Sequence, residues 1–160
     1  MSYDMKVLLA DLRRHEAVKS RLYFDPLGIL TVGVGHALGS RPVPADIRDA
    51  MSVPGVMDTP LHPDVIQLLL VLDATEADKQ VRNLALSRGV NFDALSPIRQ
   101  KVLVNSSFQL GATRLGHFVK FWAALARSDY RAAADEMLNS KWAKQTPKRA
   151  AELAASMQKG

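Results

Sequence analysis

Cysteine is missing from this 160-residue chain, which excludes a disulfide framework and thiolate metal sites and leaves the redox compartment open. Long apolar runs are missing too. The longest, Leu68-Leu69-Leu70-Val71-Leu72, falls far short of the roughly 20 residues a bilayer-spanning helix needs, so stable membrane insertion is not expected. The opening Met1-Ser2-Tyr3-Asp4-Met5-Lys6 has neither the basic region nor the apolar run of a signal peptide, so a target outside the cell membrane requires another route. Histidine is sparse and scattered (His15, His36, His62, His117) without a His-x-x-x-His pair, which gives no grounds for a metal site. A Gly-x-Ser-x-Gly elbow is absent, and Gly33-Val34-Gly35 is only a fragment of a dinucleotide loop with no helical pattern directly after it. Repeats and low-complexity segments are absent as well.

What is present suits a folded catalytic or binding unit. The 48% hydrophobic content is ample for a core, and the length fits one compact unit or two lobes sharing a helix. A net charge of +5 favours a polyanionic partner such as nucleic acid, anionic lipid or an acidic wall polymer. Nucleic acid drops out, because the basic residues are dispersed instead of forming a stripe interleaved with exposed aromatics.

Met5, Leu8, Leu9 and Leu12 form one apolar stripe at helical spacing, and Arg13-Arg14-His15 supply the positive charge that a helix C-terminus favours. Glu16 therefore falls at the last turn or just beyond. From Leu22 to Val34 the aromatic and β-branched residues, broken by Asp25-Pro26, Gly28, Gly33 and Gly35, predict two short antiparallel strands with a turn near Pro26–Gly28. Residues 39–63 hold five of the eight prolines and predict an irregular stretch with a short helix around Ala45–Met51. A long helical pattern then runs from Pro63 to about Ser87, closed by Arg88-Gly89. The remainder reads as short helices: Ser96-Pro97 to about Phe108, one bearing Phe118, Phe121, Trp122 and Leu125, Tyr130 to Leu138, and a last one capped by Thr146. The aromatic cluster of Phe108, Phe118, Phe121, Trp122 and Trp142 falls at helical spacing and reads as core.

Taken singly, the polar residues of the Glu16-to-His36 segment have ordinary explanations. An acid at a helix end is a solvated group, Asp25 before Pro26 is a turn residue, and a histidine beside glycines is a structural hydrogen-bond partner. Together they form another set. Glycosidic bond hydrolysis needs one carboxyl that carries a proton, one that stays ionised, and a group that places a water.

The string Leu12-x-x-x-Glu16, Tyr23-x-Asp25, Gly28-x-x-Thr31-x-Gly33-x-Gly35-His36 resembles the N-terminal signature of the bacteriophage T4-type lysozymes, a family of peptidoglycan muramidases. Asn105-x-x-Phe108-Gln109-Leu110-Gly111 and Ser140-x-Trp142-x-x-Gln145-Thr146-Pro147-x-Arg149-Ala150 resemble two further segments of that family, in family order. The resemblance implies an α+β, mainly α, two-lobe fold within a single catalytic domain, 1–160. A β-containing lobe at about 15–63 would be joined by a connecting helix at about 63–87 to a helical lobe at about 90–160 that also takes in the N-terminal helix.

Carried over residue by residue, the resemblance implies that Glu16 is the general acid, Asp25 the catalytic aspartate and Thr31 the residue that helps hold the attacking water. Phe108 and Gln109 would bind substrate. His36 would support the site through an acidic partner, either Glu76 or Asp73, and Arg149 would approach the acid's carboxyl. Inversion at the sugar follows from the family. The implied substrate is bacterial peptidoglycan, cleaved by a monomer without cofactor or metal. The implied location is the host bacterial cytoplasm before release to the wall, in phage lysis or wall penetration.

Several positions depart from the family pattern: His15 where an acid is common, Ala37 where a larger apolar residue is common, Ser106-Ser107 at an apolar step, and the Pro-rich stretch. Two other readings stand beside hydrolysis. A lytic transglycosylase cleaves the same bond without water, and retention of Asp25 and Thr31 argues against it. A non-catalytic basic wall-binding or antimicrobial protein would not need Glu16.

Overall fold

A computed structural model describes residues 3–24, 30–38 and 59–160. Asp25, the turn expected near Pro26–Gly28 and the short helix expected around Ala45–Met51 lie outside the described residues. The fold is mainly helical with one small antiparallel sheet. It divides into two compact units: Leu9–Asp73, and Met1–Leu8 together with Ala74–Gly160. Helix α1 (Met5–His15) begins in the second of these and ends in the first, and helix α2 (Pro63–Ser87) runs the other way.

Asp4 caps α1: its carboxylate accepts from the Lys6 N–H at 2.8 Å and its carbonyl from Leu8 at 3.1 Å. Leu8 and Leu12, one turn apart, are fully buried, and Arg13, Arg14 and His15 occupy the last turn. The sheet follows as β1 (Lys19–Phe24), β2 (Leu30–Gly33) and β3 (His36–Ala37), in that order. Two strands are expected from the sequence and three are found. The third is only two residues long, too short for an alternating pattern to register. Gly33 has φ +64°, and a Cβ there would meet Ile66 Cγ2 of α2 at 3.3 Å, so backbone conformation and close approach both call for glycine. Leu22, Val32 and Leu69 form the core of this unit, with Leu30, Leu38, Leu61 and Val65 packed against it.

In the helical unit a 3-10 turn (Phe92–Ala94) leads to α3 (Pro97–Leu110). Ser96 accepts from the Arg99 N–H, Pro97 occupies the first turn, and Gly111 at φ +76° ends the helix. Every residue from Val102 to Phe108 is buried, which makes α3 the central helix of the unit. Buried Gln100 is satisfied locally, its amide donating to the Phe92 and Leu95 carbonyls at 3.1 Å each. After α3 come α4 (Ala112–Gly116), α5 (Val119–Ala126), α6 (Tyr130–Leu138), α7 (Lys141–Gln145) and α8 (Pro147–Lys159), of which α4 and α8 pack against it. Phe121 and Trp122 meet edge to face with centroids 5.4 Å apart, and the Trp122 indole donates to the Leu115 carbonyl at 2.9 Å.

Thr146 stands at the cap position of α8, where the sequence places it, but its hydroxyl does not cap that helix. It donates back to the Trp142 carbonyl at 3.2 Å instead. Pro147 does not prevent a cap, since Ser96 caps α3 directly ahead of Pro97. The hydroxyl's turn back to Trp142 takes it from the α8 N–H groups. Among the described residues no helix is long and apolar enough to cross a membrane.

Candidate active site

Glu16 follows α1 directly. Its backbone N–H still donates to the Leu12 carbonyl at 2.9 Å, so the last helical turn holds the residue where the chain leaves for β1. Its side chain is half-buried. Thr31 lies on the central strand, 3% exposed, paired with Tyr23 of β1 and Ala37 of β3. The sheet therefore carries Thr31 on one face and the alternate residues Val32 and His36 on the other. Asp25, which the sequence places one residue past β1, is not among the described residues.

His36 and Asp73 answer the question the sequence leaves open. The His36 Nδ1 stands 2.9 Å from both carboxylate oxygens of Asp73, and the two side chains are 1% and 4% exposed. Glu76 is exposed and instead accepts from the Gln80 amide. The geometry assigns the histidine proton at Nδ1 to the carboxylate, and it pins β3 to the first half of α2. Breaking such a buried pair by removing one partner costs about 3–5 kcal/mol.

The helical unit supplies a second group of polar contacts. The Arg149 Nε and Nη2 donate to the Asn105 Oδ1 at 2.9 and 2.8 Å, and Nη2 lies 3.4 Å from the Asn105 carbonyl, so α8 is tied to α3 by a buried guanidinium. The Trp142 indole donates to Gln109 Oε1 at 2.7 Å. This fixes which end of the Gln109 amide turns inward and leaves its NH₂ to face elsewhere. Phe108 is 7% exposed and packs within α3's buried run.

Three members of these contacts carry no role in the sequence reading. Asn105 and Trp142 stand in the quoted motifs, and their spacing to Arg149 and Gln109 holds no signal of contact. Tyr23 appears in the N-terminal motif, and only strand register reveals that it faces Thr31. Among the described residues no group of three or more His, Asp or Glu side chains is arranged to hold a metal ion.

Comparison with known proteins gives a consistent pattern. The family described as phage lysozyme matches residues 13–156. A probable T4-type lysozyme 2 of Dictyostelium discoideum is 24% identical over 157 residues, 93% of this chain and 92% of that protein. A probable T4-type lysozyme 1 of the same organism is 25% identical over 158 residues, with the same coverage. The pre-baseplate central spike protein Gp5 of Enterobacteria phage T4 is 26% identical over 149 residues, 89% of this chain. Against that spike protein the chain spans only 26% of the length.

Proposed function

The chain belongs to the phage lysozyme family, and from that membership we propose that it is a muramidase. It hydrolyses the β-1,4 bond between N-acetylmuramic acid and N-acetylglucosamine in bacterial peptidoglycan. The observation that carries this reading is the extent of the family match. Residues 13–156 take in every position given a role, from Glu16 to Arg149. The buried His36–Asp73 pair adds support, since it anchors the strand next to Thr31.

In this mechanism Glu16 donates a proton to the leaving glycosidic oxygen. Asp25 stays ionised, opposes the positive charge that develops on the sugar ring, and orients a water together with the Thr31 hydroxyl. Attack from the far face inverts the anomeric centre, which requires space for that water between the two carboxyl groups. Gln109, whose Oε1 accepts from Trp142, binds substrate by the family resemblance. No cofactor takes part. Release from the cytoplasm to the wall is the setting for lysis, and the likeness to a central spike protein favours a tail component as a second setting.

The test is a turbidity assay on outer-membrane-permeabilised bacteria with wild type, Glu16→Gln and Asp25→Ala. Each variant is expected to lose at least about a hundredfold in rate, the scale of a missing acid–base group. Two variants as fast as wild type would sink the mechanism. Mass spectrometry of the released muropeptides separates hydrolysis, which adds one water, from transglycosylation, which leaves an anhydro ring.

A further inference from the structure

Tyr23, Thr31 and Ala37 form one row across the sheet, as Cα partners on β1, β2 and β3. Directly paired residues on antiparallel strands point to the same side with Cβ atoms roughly 4.5–5.5 Å apart. The neighbouring residues turn to the other side, where Leu22 and Val32 join Leu69 in the core and His36 reaches Asp73. Thr31 is thus flanked in its row by a single methyl group on one side and by an aromatic ring on the other.

That ring is placed by an irregularity. Lys19 pairs with Gly33 and Tyr23 with Thr31, so four steps along β1 oppose two steps along β2. Such a bulge bends a strand and re-aims its side chains, and bulges concentrate beside active sites. Here it puts the Lys19 ammonium 5.9 Å from the centroid of the Tyr23 ring, a cation held against the ring face. Tyr23 is half-buried and braced between Lys19 along its own strand and Thr31 across the ladder.

A threonine on a strand has few allowed χ1 wells, and its methyl and hydroxyl are nearly equal in size. An aromatic ring beside it nevertheless favours the well that turns the methyl to the ring, because a hydroxyl there forfeits hydrogen bonds. Only one of those wells aims Oγ in a chosen direction. The geometry points to Tyr23 as a positioning residue: its ring, set by the β1 bulge, selects the Thr31 rotamer that presents the hydroxyl to the attacking water. This rests on the hydrolytic reading above, in which Thr31 Oγ holds that water. Ala37 on the other flank is too small to share the task.

The experiment is a double-mutant cycle between Tyr23→Leu and Thr31→Ala on purified peptidoglycan, with melting temperatures recorded for every variant. In the native background Tyr23→Leu is expected to lower kcat roughly tenfold while KM holds, because small misplacements of reacting groups are amplified in rate. In the Thr31→Ala background the same change is expected to cost less than about twofold. Tyr23→Phe, which keeps the ring, should retain most of wild-type kcat. An equal loss in both backgrounds, a loss carried by KM, or a phenylalanine variant as impaired as the leucine one would overturn the assignment. Three-bond couplings to the Thr31 γ-methyl read χ1 without any substrate. They should report one dominant rotamer in wild type and averaging in Tyr23→Leu, so an unchanged χ1 overturns the positioning role even if hydrolysis itself fails.

Discussion

Tyr3 donates its hydroxyl proton to Asp78 at 2.9 Å, and Asp78 in turn accepts from Arg82, whose guanidinium also reaches Asp93 and lies over the Phe92 ring. One residue near the chain start is thus tied to α2 and the 3-10 turn by a short polar relay. Burial raises the Tyr3 hydroxyl well above its ordinary value, and the hydrogen bond to Asp78 and that group's charge push the same way. Burial works against the charge on Arg82, but its hydrogen bonds to Asp78 and Asp93 outweigh that and raise it further. The consequence for stability has a definite sign. Above the unfolded tyrosine value of about 10 the unfolded chain sheds a proton that the folded chain keeps, so the Tyr3 contribution is complete below that pH and fades as pH rises past it. The melting temperature of wild type should be level on this account up to about pH 9.5 and then decline. Tyr3→Phe should be less stable by about 1 kcal/mol at neutral pH, the worth of one such hydrogen bond, with a shallower decline on the alkaline side. Parallel alkaline limbs for the two proteins would show that Tyr3 does not set the slope.

Helix α3 is buried nearly all round, yet it carries Asn105, Ser106 and Ser107 in its most enclosed turn. Arg149 uses the Asn105 oxygen, which gives that residue a reason to be polar. The two serine hydroxyls and the Asn105 NH₂ have no hydrogen-bond partner among the described residues. An unpartnered buried hydroxyl costs about 1–3 kcal/mol, and alanine is the better helix former, so Ser106→Ala should raise the melting temperature by about 2–4 °C. A lower melting temperature would mean that a bound water satisfies the hydroxyl. The same helix shows what sequence reading can reach. Ser96-Pro97 and Gly111 mark its ends because capping and proline geometry are local chemistry, and the Pro63–Ser87 helix is legible for the same reason. The two-residue β3 and the β1 bulge are not, since they depend on which strand neighbours which. Glu16 and Thr31 stand out only through the motif that resembles the family's, since each taken singly has an ordinary structural explanation. Asp73 as the partner of His36, Trp142 as the holder of Gln109 and Tyr23 beside Thr31 are tertiary facts, set by packing across 37, 33 and 8 residues of sequence.

The +5 net charge is unevenly shared. Fifteen Lys and Arg against eight Asp and Glu fall in the unit of Met1–Leu8 and Ala74–Gly160, and six against eight in Leu9–Asp73, so one unit carries +7 and the other −2. The excess is most concentrated between Met137 and Ala151, a stretch without a single acid. Lys141, Lys144 and Lys148 there are exposed, and none has an ion-pair partner among the described residues. They surround Trp142, which holds Gln109. Peptidoglycan and the polymers attached to it are anionic, so under the muramidase reading these lysines draw the enzyme to its substrate from the side of the helical unit. Screening decides whether that attraction acts at a distance: it reaches about 30 Å at 0.01 M salt and about 8 Å at 0.15 M. Lysis should therefore slow several-fold, on the order of tenfold at most, between those two conditions. Replacing Lys141, Lys144 and Lys148 by glutamine should remove most of that dependence. Replacing Arg13, Arg14 and Arg21 of the other unit should leave it largely intact, although both triple variants lose the same three charges. Equal salt slopes for the two would show that total charge, and not its placement on the helical unit, governs the approach to the wall.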